Sequence, residues 1–306
     1  MTILVGTASW TDPTLIRCKR FYPPDTSSAE ARLRFYATRF PLVEVDSSFY
    51  AMPTAANSTL WTERTPQNFV FNMKAFRLFT GHHTALSALP KDMQSAFINT
   101  SSNKLNANKQ NLFYRDVPAD IRNELWRRFA MALQPLQQAG KFGAVLFQFA
   151  PWVINNRAGR AHIADCAERM AGYIMAVELR QQSWFMDTQR AATLAFLREL
   201  SVAHVIVDEP QGFANSIPAM WEVTHPKLAL VRMHGRNRHA WDNISANASS
   251  GRFQYIYPDN ELDELAQNIQ RIAQQVEKAH AVLNTNYEDQ GQHNARRLMR
   301  ILNMYR

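Results

Sequence analysis

Cysteine is almost absent from this 306-residue chain: only Cys18 and Cys166 occur, far apart and in no C-x-x-C pair. That spacing excludes zinc held by paired thiolates and a disulfide scaffold of the secreted kind. Long apolar runs are missing too, since no stretch approaches the roughly 20 residues that a membrane-spanning helix needs. The opening, Met1-Thr2-Ile3-Leu4-Val5-Gly6, has neither the basic start nor the apolar length of a signal peptide. A soluble cytoplasmic protein is therefore expected. No G-x-G-x-x-G follows the first apolar segment and no G-x-x-x-x-G-K-[ST] occurs, so dinucleotide and P-loop readings lose support. Histidine clusters at ligand spacing are also lacking: His82-His83 has no partner, and only His204 and His234 fall on apolar segments. One imidazole among scattered carboxylates is a weak zinc signal. No metal or cofactor is expected, although magnesium bridging a substrate phosphate to Glu178 or Asp208 would need few protein ligands. Negative charge is the scarcer sign, with 26 Asp and Glu against 34 Lys and Arg, a net +8. This balance favours an anionic partner: nucleic acid, a nucleotide or a phosphorylated metabolite.

What is present is apolar material in a regular order. At 46% hydrophobic and 20% charged, the chain can bury a large core. Short β-favouring segments recur at Ile3–Thr7, Leu42–Asp46, Phe69–Lys74, Gly143–Phe149, Ile174–Arg180, Ala203–Asp208, from Leu228, and at Ala281–Asn284. Helical patterns lie between them. Ser27 with Glu30 reads as a capping box, Thr54 opens a helix, and one from about Pro118 carries Ile121, Leu125, Trp126, Phe129 and Leu133. Asp187 caps another, and a strongly amphipathic one starts at Asp259 or Asn260. Eight apolar segments alternating with helices, nearly all ending in polar residues, specify an α/β fold: a TIM-like (β/α) barrel in a single domain over residues 1–306. The longest gap follows strand three. Residues 80–117 hold a polar run from Ser101 to Lys109, read either as a lid over the site or as a solvated surface insertion.

The segment Leu228-Ala229-Leu230-Val231-Arg232-Met233-His234-Gly235-Arg236-Asn237-Arg238-His239 shows the design most clearly. Its first half is a buried parallel strand by composition. Side chains alternate in a strand, so Arg232 and His234 project the same way before Gly235 turns the chain. An apolar strand that empties into charged groups at its C-terminal end is how such barrels carry a site.

These strand ends resemble the YecE-like family, domain-of-unknown-function family 72. The resemblance runs through Gly6-Thr7-Ala8-Ser9-Trp10, Val43 to Tyr50, Phe69 to Lys74, and Gln148 within Leu146–Phe149. It continues through Ala176 to Arg180 with Ser183-Trp184, Asp208-Glu209-Pro210, Val231 to Arg236, and Asn284-Thr285-Asn286 with Asn294-Ala295. It implies a barrel related to TIM barrels with these polar residues around the pocket, and it supplies no reaction. The chain departs from the family's paired asparagines after the last strand, because Thr285 separates Asn284 from Asn286.

Mixed carboxylates and cations at one mouth can do acid–base work on a bound anion. The expected catalytic groups are Glu178 or Asp208 as base, with Lys74 and His234 stabilising charge. The expected ligand contacts are Gln148, Arg180, Trp184, Arg232, Arg236, Asn284 and Asn286, the arginines suiting bidentate clamps. Loops after strands seven and eight are a frequent phosphate site in these barrels. The leading expectation is thus a phosphate-bearing ligand, nucleic acid or nucleotide, with phosphodiester hydrolysis as the natural reaction. A carbohydrate enzyme using Glu44 and Glu178 as a carboxylate pair is the alternative, and a non-catalytic binding protein the third. Against all three stands a purely structural role, in which Glu44 or Glu178 pairs with Lys74 or Arg180 to tie strands together.

Overall fold

The computed structural model describes residues 2–100, 111–241 and 252–304. Eight parallel strands close into a barrel: β1 (Thr2–Ala8), β2 (Leu42–Val45), β3 (Val70–Lys74), β4 (Phe142–Gln148), β5 (Met175–Glu178), β6 (Ala203–Asp208), β7 (Leu228–Met233) and β8 (Lys278–Leu283). Each strand pairs with its sequence neighbours, and β1 closes the ring on β8. The strands are buried on both faces, which is why they read as nearly continuous apolar runs.

Helices form the outer layer. Pro13–Cys18 and Ala29–Ala37 follow β1, and Ala55–Glu63 follows β2. The capping serine of the second of these is Ser28, whose hydroxyl accepts from Ala31 N, one residue beyond the Ser27 box expected. Thr54 caps the third as read, accepting from Asn57 N. Ala119–Gln138 precedes β4 with Leu125, Phe129 and Leu133 on its buried stripe. Asp187–Glu199, Asp259–Ala273 and Gln290–Ile301 complete the outer layer, with Asp187 as the first helical residue rather than the cap.

Two departures are instructive. Arg157–Arg169, between β4 and β5, is a helix the periodic reading left unassigned; only Ile163 and Cys166 among its larger side chains are buried, too few for a clear stripe. Between β6 and β7, where alternation required a helix, residues 209–227 cross without one. Pro210, Gly212, Pro218 and Pro226 break any helical run there, and Ile217 and Met220 pack as single anchors.

The insertion after β3 is docked where it is described. Thr84–Ala85 pairs antiparallel with Asn111–Leu112. The helix Lys91–Thr100 places Met93 and Phe97 in the core, and Asp92 pairs with Arg128 of Ala119–Gln138. The polar run from Ser101 to Lys109, considered as a lid, lies outside the described residues.

Candidate ligand site at the barrel mouth

Register decides which side chains face the barrel axis. Partners on neighbouring parallel strands point the same way, and the pairings Val282 with Arg232, Val207 with Arg232, and Gln148 with Glu178 carry one inward row around the wall. Glu44 with Asn72, and Lys74 with Leu146, continue it on the other side.

Arg232 is the centre of that row and is 0% exposed. Its Nε and Nη2 donate to the two oxygens of Glu44 at 3.1 and 2.6 Å, and Nη1 donates to Glu178 Oε2 at 2.5 Å. One guanidinium thus ties β2, β5 and β7 across the barrel. The structural role foreseen for Glu44 has a different partner from those expected: Arg232 rather than Lys74 or Arg180. Arg232 itself is consumed by two carboxylates and has no donor pair left for a bidentate clamp on a ligand.

Above it the network loosens. Glu178 Oε1 lies 3.5 Å from both Arg180 Nη1 and His234 Nε2, and Arg180 Nη1 lies 2.7 Å from Glu209 Oε2. Asn284 Nδ2 faces His234 Nδ1 at 2.8 Å, so in the neutral ring the proton sits on Nε2, toward Glu178. Lys74 lies 3.4 Å from Asp46 Oδ1 and over the ring of Phe49. Gln148 and Asn286 are half-exposed, as are Arg180 and Asp46 in part, so the network opens to solvent on this side.

Burial and charge set the protonation states. Burial works to raise Glu178, but Arg232, His234 and Arg180 outweigh it and hold the carboxyl well below the usual range. Burial pushes Glu44 up to about 7, with nearby Asp46 adding to the rise against the opposing pull of Arg232 and Lys74. Burial likewise lowers His234 to about 4, leaving it neutral near pH 7.

Three expected site residues lie elsewhere. Asp208 pairs in register with Met233, on the outward row, where it accepts from Arg236 Nε and Nη2 and from Tyr257 Oη at 2.7 Å. Arg236 shares Arg232's parity, but Gly235 at φ +86° turns the chain and sends it out to Asp208, Glu261 and Glu264. Both the Asp208 base and the Arg236 anion clamp are thereby withdrawn. Trp184 is fully buried, donates to Val153 O and stacks on Phe196, so it packs the helical layer and offers no platform to a ligand. Glu209, quoted within the Asp208-Glu209-Pro210 match but given no individual role, follows the parity of Val207 and so stands on the inward row.

No three or more His, Cys, Asp or Glu side chains among the described residues are arranged to hold a metal ion. Among the same residues no helix is long and apolar enough to cross a membrane.

A closed parallel β/α barrel whose C-terminal mouth gathers acid, base and amide side chains belongs to the TIM-like barrels. The chain is a member of the family described as protein of unknown function DUF72, whose profile matches residues 4–306. It is 29% identical over 304 residues to UPF0759 protein YunF of Bacillus subtilis (strain 168), covering 99% of this chain and 95% of that one. The fold is shared with a crystal structure of a DUF72 family protein from Enterococcus faecalis V583, at TM-score 0.78 and 24% identity, covering 100% of this chain and 97% of that one. A second, from Thermotoga maritima MSB8, has TM-score 0.75 and 21% identity, covering 99% and 100%.

Proposed function

We propose that the barrel mouth binds a small anionic ligand of the phosphate-bearing class, with Glu178 as the proton acceptor facing it. One observation carries this reading. Glu178 Oε1, His234 Nε2, Arg180 Nη1 and Glu209 Oε2 are buried neighbours that meet one another as ion pairs at 2.7 to 3.5 Å, off the best hydrogen-bond geometry. Buried polar atoms so loosely paired are costly, and a guest that donates and accepts at this point relieves the cost. Lys74 and Arg180 are the cations on the open side.

The charge balance favours a compact ligand over a nucleic-acid strand. Strand binding needs a track of available cations, whereas each inward cation here already faces a carboxylate. A carboxylate held as low as Glu178 is a weak base, so binding comes first, and phosphodiester hydrolysis through a Glu178-activated water is its catalytic extension. The carbohydrate alternative loses its second carboxylate, since Arg232 occupies both oxygens of Glu44.

Calorimetric titration with inorganic phosphate, AMP and a short single-stranded oligonucleotide tests the reading. AMP should bind, and Lys74→Met and Arg180→Met should each weaken it about tenfold, the scale of one charge-assisted contact. Turnover of bis(p-nitrophenyl) phosphate, lost in Glu178→Gln, would establish the catalytic extension. Absence of binding by every probe, or binding indifferent to both cation variants, overturns the proposal.

A further inference from the structure

A second concave site stands outside the barrel wall, and none of the mouth residues lines it. Its cavity holds about 440 Å³, with Gly81, Phe113, Tyr114, Trp152, Ile154 and His162 on its walls. Gly81, Phe113 and Tyr114 belong to the insertion after β3. Trp152 and Ile154 lie in the loop after β4, and His162 lies in the helix Arg157–Arg169 that follows. Three separate segments thus converge on a volume in the range of small-molecule sites.

The walls are apolar, exposed and held in place. Of nine large apolar side chains that stand exposed among the described residues, three line this one cavity: Phe113, Ile154 and Trp152, the last at 49%. Apolar exposure gathered in one concave place marks a binding surface, whereas scattered exposure does not. Trp152 Nε1 donates to Gly81 O at 2.8 Å, which fixes the indole. His83 stacks on that ring with centroids 5.9 Å apart and planes 19° apart, and it meets Phe113 at 6.4 Å. His82 packs edge to face on Trp152 at 5.8 Å. The His82-His83 pair, which forms no metal site, thereby braces two aromatic walls.

One polar atom stands apart from this apolar lining. The Tyr114 hydroxyl is already committed, accepting from Trp126 Nε1 at 2.9 Å and donating to Asp165 Oδ2 at 3.1 Å. Asn156 Oδ1 caps Gly159 N at 2.8 Å. His162, whose ring centroid lies 5.0 Å from that of Tyr114, is buried at Nε2 and has no hydrogen-bond partner there among the described residues. Burial lowers its pKa against a weaker opposing pull from the Phe79 carbonyl, so the ring is neutral near pH 7. In a neutral imidazole one nitrogen donates and the other accepts. A hydroxyl does either, so it can satisfy Nε2 in both tautomers.

We infer that this cavity binds a small aromatic molecule carrying a ring hydroxyl, separately from whatever the mouth binds. The ring packs against Trp152 and Phe113, and the hydroxyl meets His162 Nε2. Rigid aromatic walls supply the affinity, and the single imidazole nitrogen supplies the selectivity.

NMR titration of the 15N-labelled full chain with p-cresol and with p-xylene, followed at the histidine side-chain nitrogens, tests the assignment. p-Cresol should shift one imidazole resonance, the one missing from His162→Phe. p-Xylene has the same shape without the hydroxyl and should bind about fivefold more weakly, the scale of one net hydrogen bond. His162→Phe should erase that difference, and Trp152→Ala should weaken both ligands about tenfold by removing a wall. Thermal melting checks that the variants fold, and the two ligands on wild type together with Trp152→Ala decide the matter without His162→Phe. Arg180→Met, which alters the mouth, should leave both titrations unchanged. The inference fails if p-cresol moves no histidine nitrogen, if p-xylene binds wild type equally well, or if Trp152→Ala binds as wild type does. Loss of p-cresol binding in Arg180→Met would place that probe at the mouth and also overturn it, while the AMP titration still decides the mouth reading.

Discussion

Asp208 and Glu209 are adjacent in the chain and face opposite sides of the barrel wall. Asp208 is bound by Arg236 and Tyr257 outside the barrel, whereas Glu209 meets Arg180 at the mouth and accepts from Ile217 N at 2.8 Å. Their neutral amide variants should therefore differ in kind. Asp208→Asn should cost about 1–3 kcal/mol of stability through the Arg236 and Tyr257 contacts, with AMP affinity unchanged. Glu209→Gln should alter AMP affinity by freeing Arg180. Urea unfolding and calorimetry on both variants decide it, and identical behaviour of the two would refute the division.

Arg232 is expected to be the single most sensitive charged position. Arg232→Met leaves Glu44 and Glu178 buried without their shared cation, at a cost of about 3–5 kcal/mol. The triple variant Arg232→Met, Glu44→Leu, Glu178→Leu should recover most of that loss, because apolar groups of similar volume need no counter-charge. A triple variant no more stable than the single one would show that packing, not ionisation, dominates at this position.

Glu44 should impose its own pH dependence. Its pKa rises from the ordinary 4.5 to about 7 on folding because of burial. The native state then holds this proton more tightly than the unfolded chain. The resulting stabilisation is fully present below pH 4.5 and is lost as pH rises through about 7. His234 and His204, both lowered to about 4 by burial, act in the opposite sense, losing stability as pH falls from 6.5 toward 4. The comparison with Glu44→Gln isolates the carboxyl. The stability difference between wild type and this variant should shift against wild type, on the order of 2 kcal/mol, between pH 4.5 and 7. Parallel urea midpoints across that window would contradict the assignment.

Gly143 should not tolerate even a methyl group. A Cβ there would stand 2.3 Å from Asn72 Oδ1 and 2.9 Å from His280 Cε1, two side chains joined by a 3.1 Å hydrogen bond inside the barrel. Gly143→Ala should destabilise by about 1–3 kcal/mol through overpacking. Adding Asn72→Ala should recover part of that loss. No change in melting temperature for the single variant would mean that the wall yields more easily than its packing indicates.

Strand alternation, legible in the residues alone, determined that the chain forms a β/α barrel, that Arg232 shares a face with His234 and Glu178 with Arg180, and that the polar groups collect at strand ends. Only the tertiary structure decided which of those faces is inside and who pairs with whom. Arg232 finds Glu44 from 188 residues away, a partner set by closure of the ring rather than by local spacing. Gly235 undoes the parity of Arg236 with one positive φ, and register puts Glu209 rather than Asp208 at the mouth. The physical reason is common to all three. Periodicity fixes the direction of a side chain relative to its own strand, whereas ion-pair partners and burial depend on how eight strands are staggered around an axis that no single segment contains.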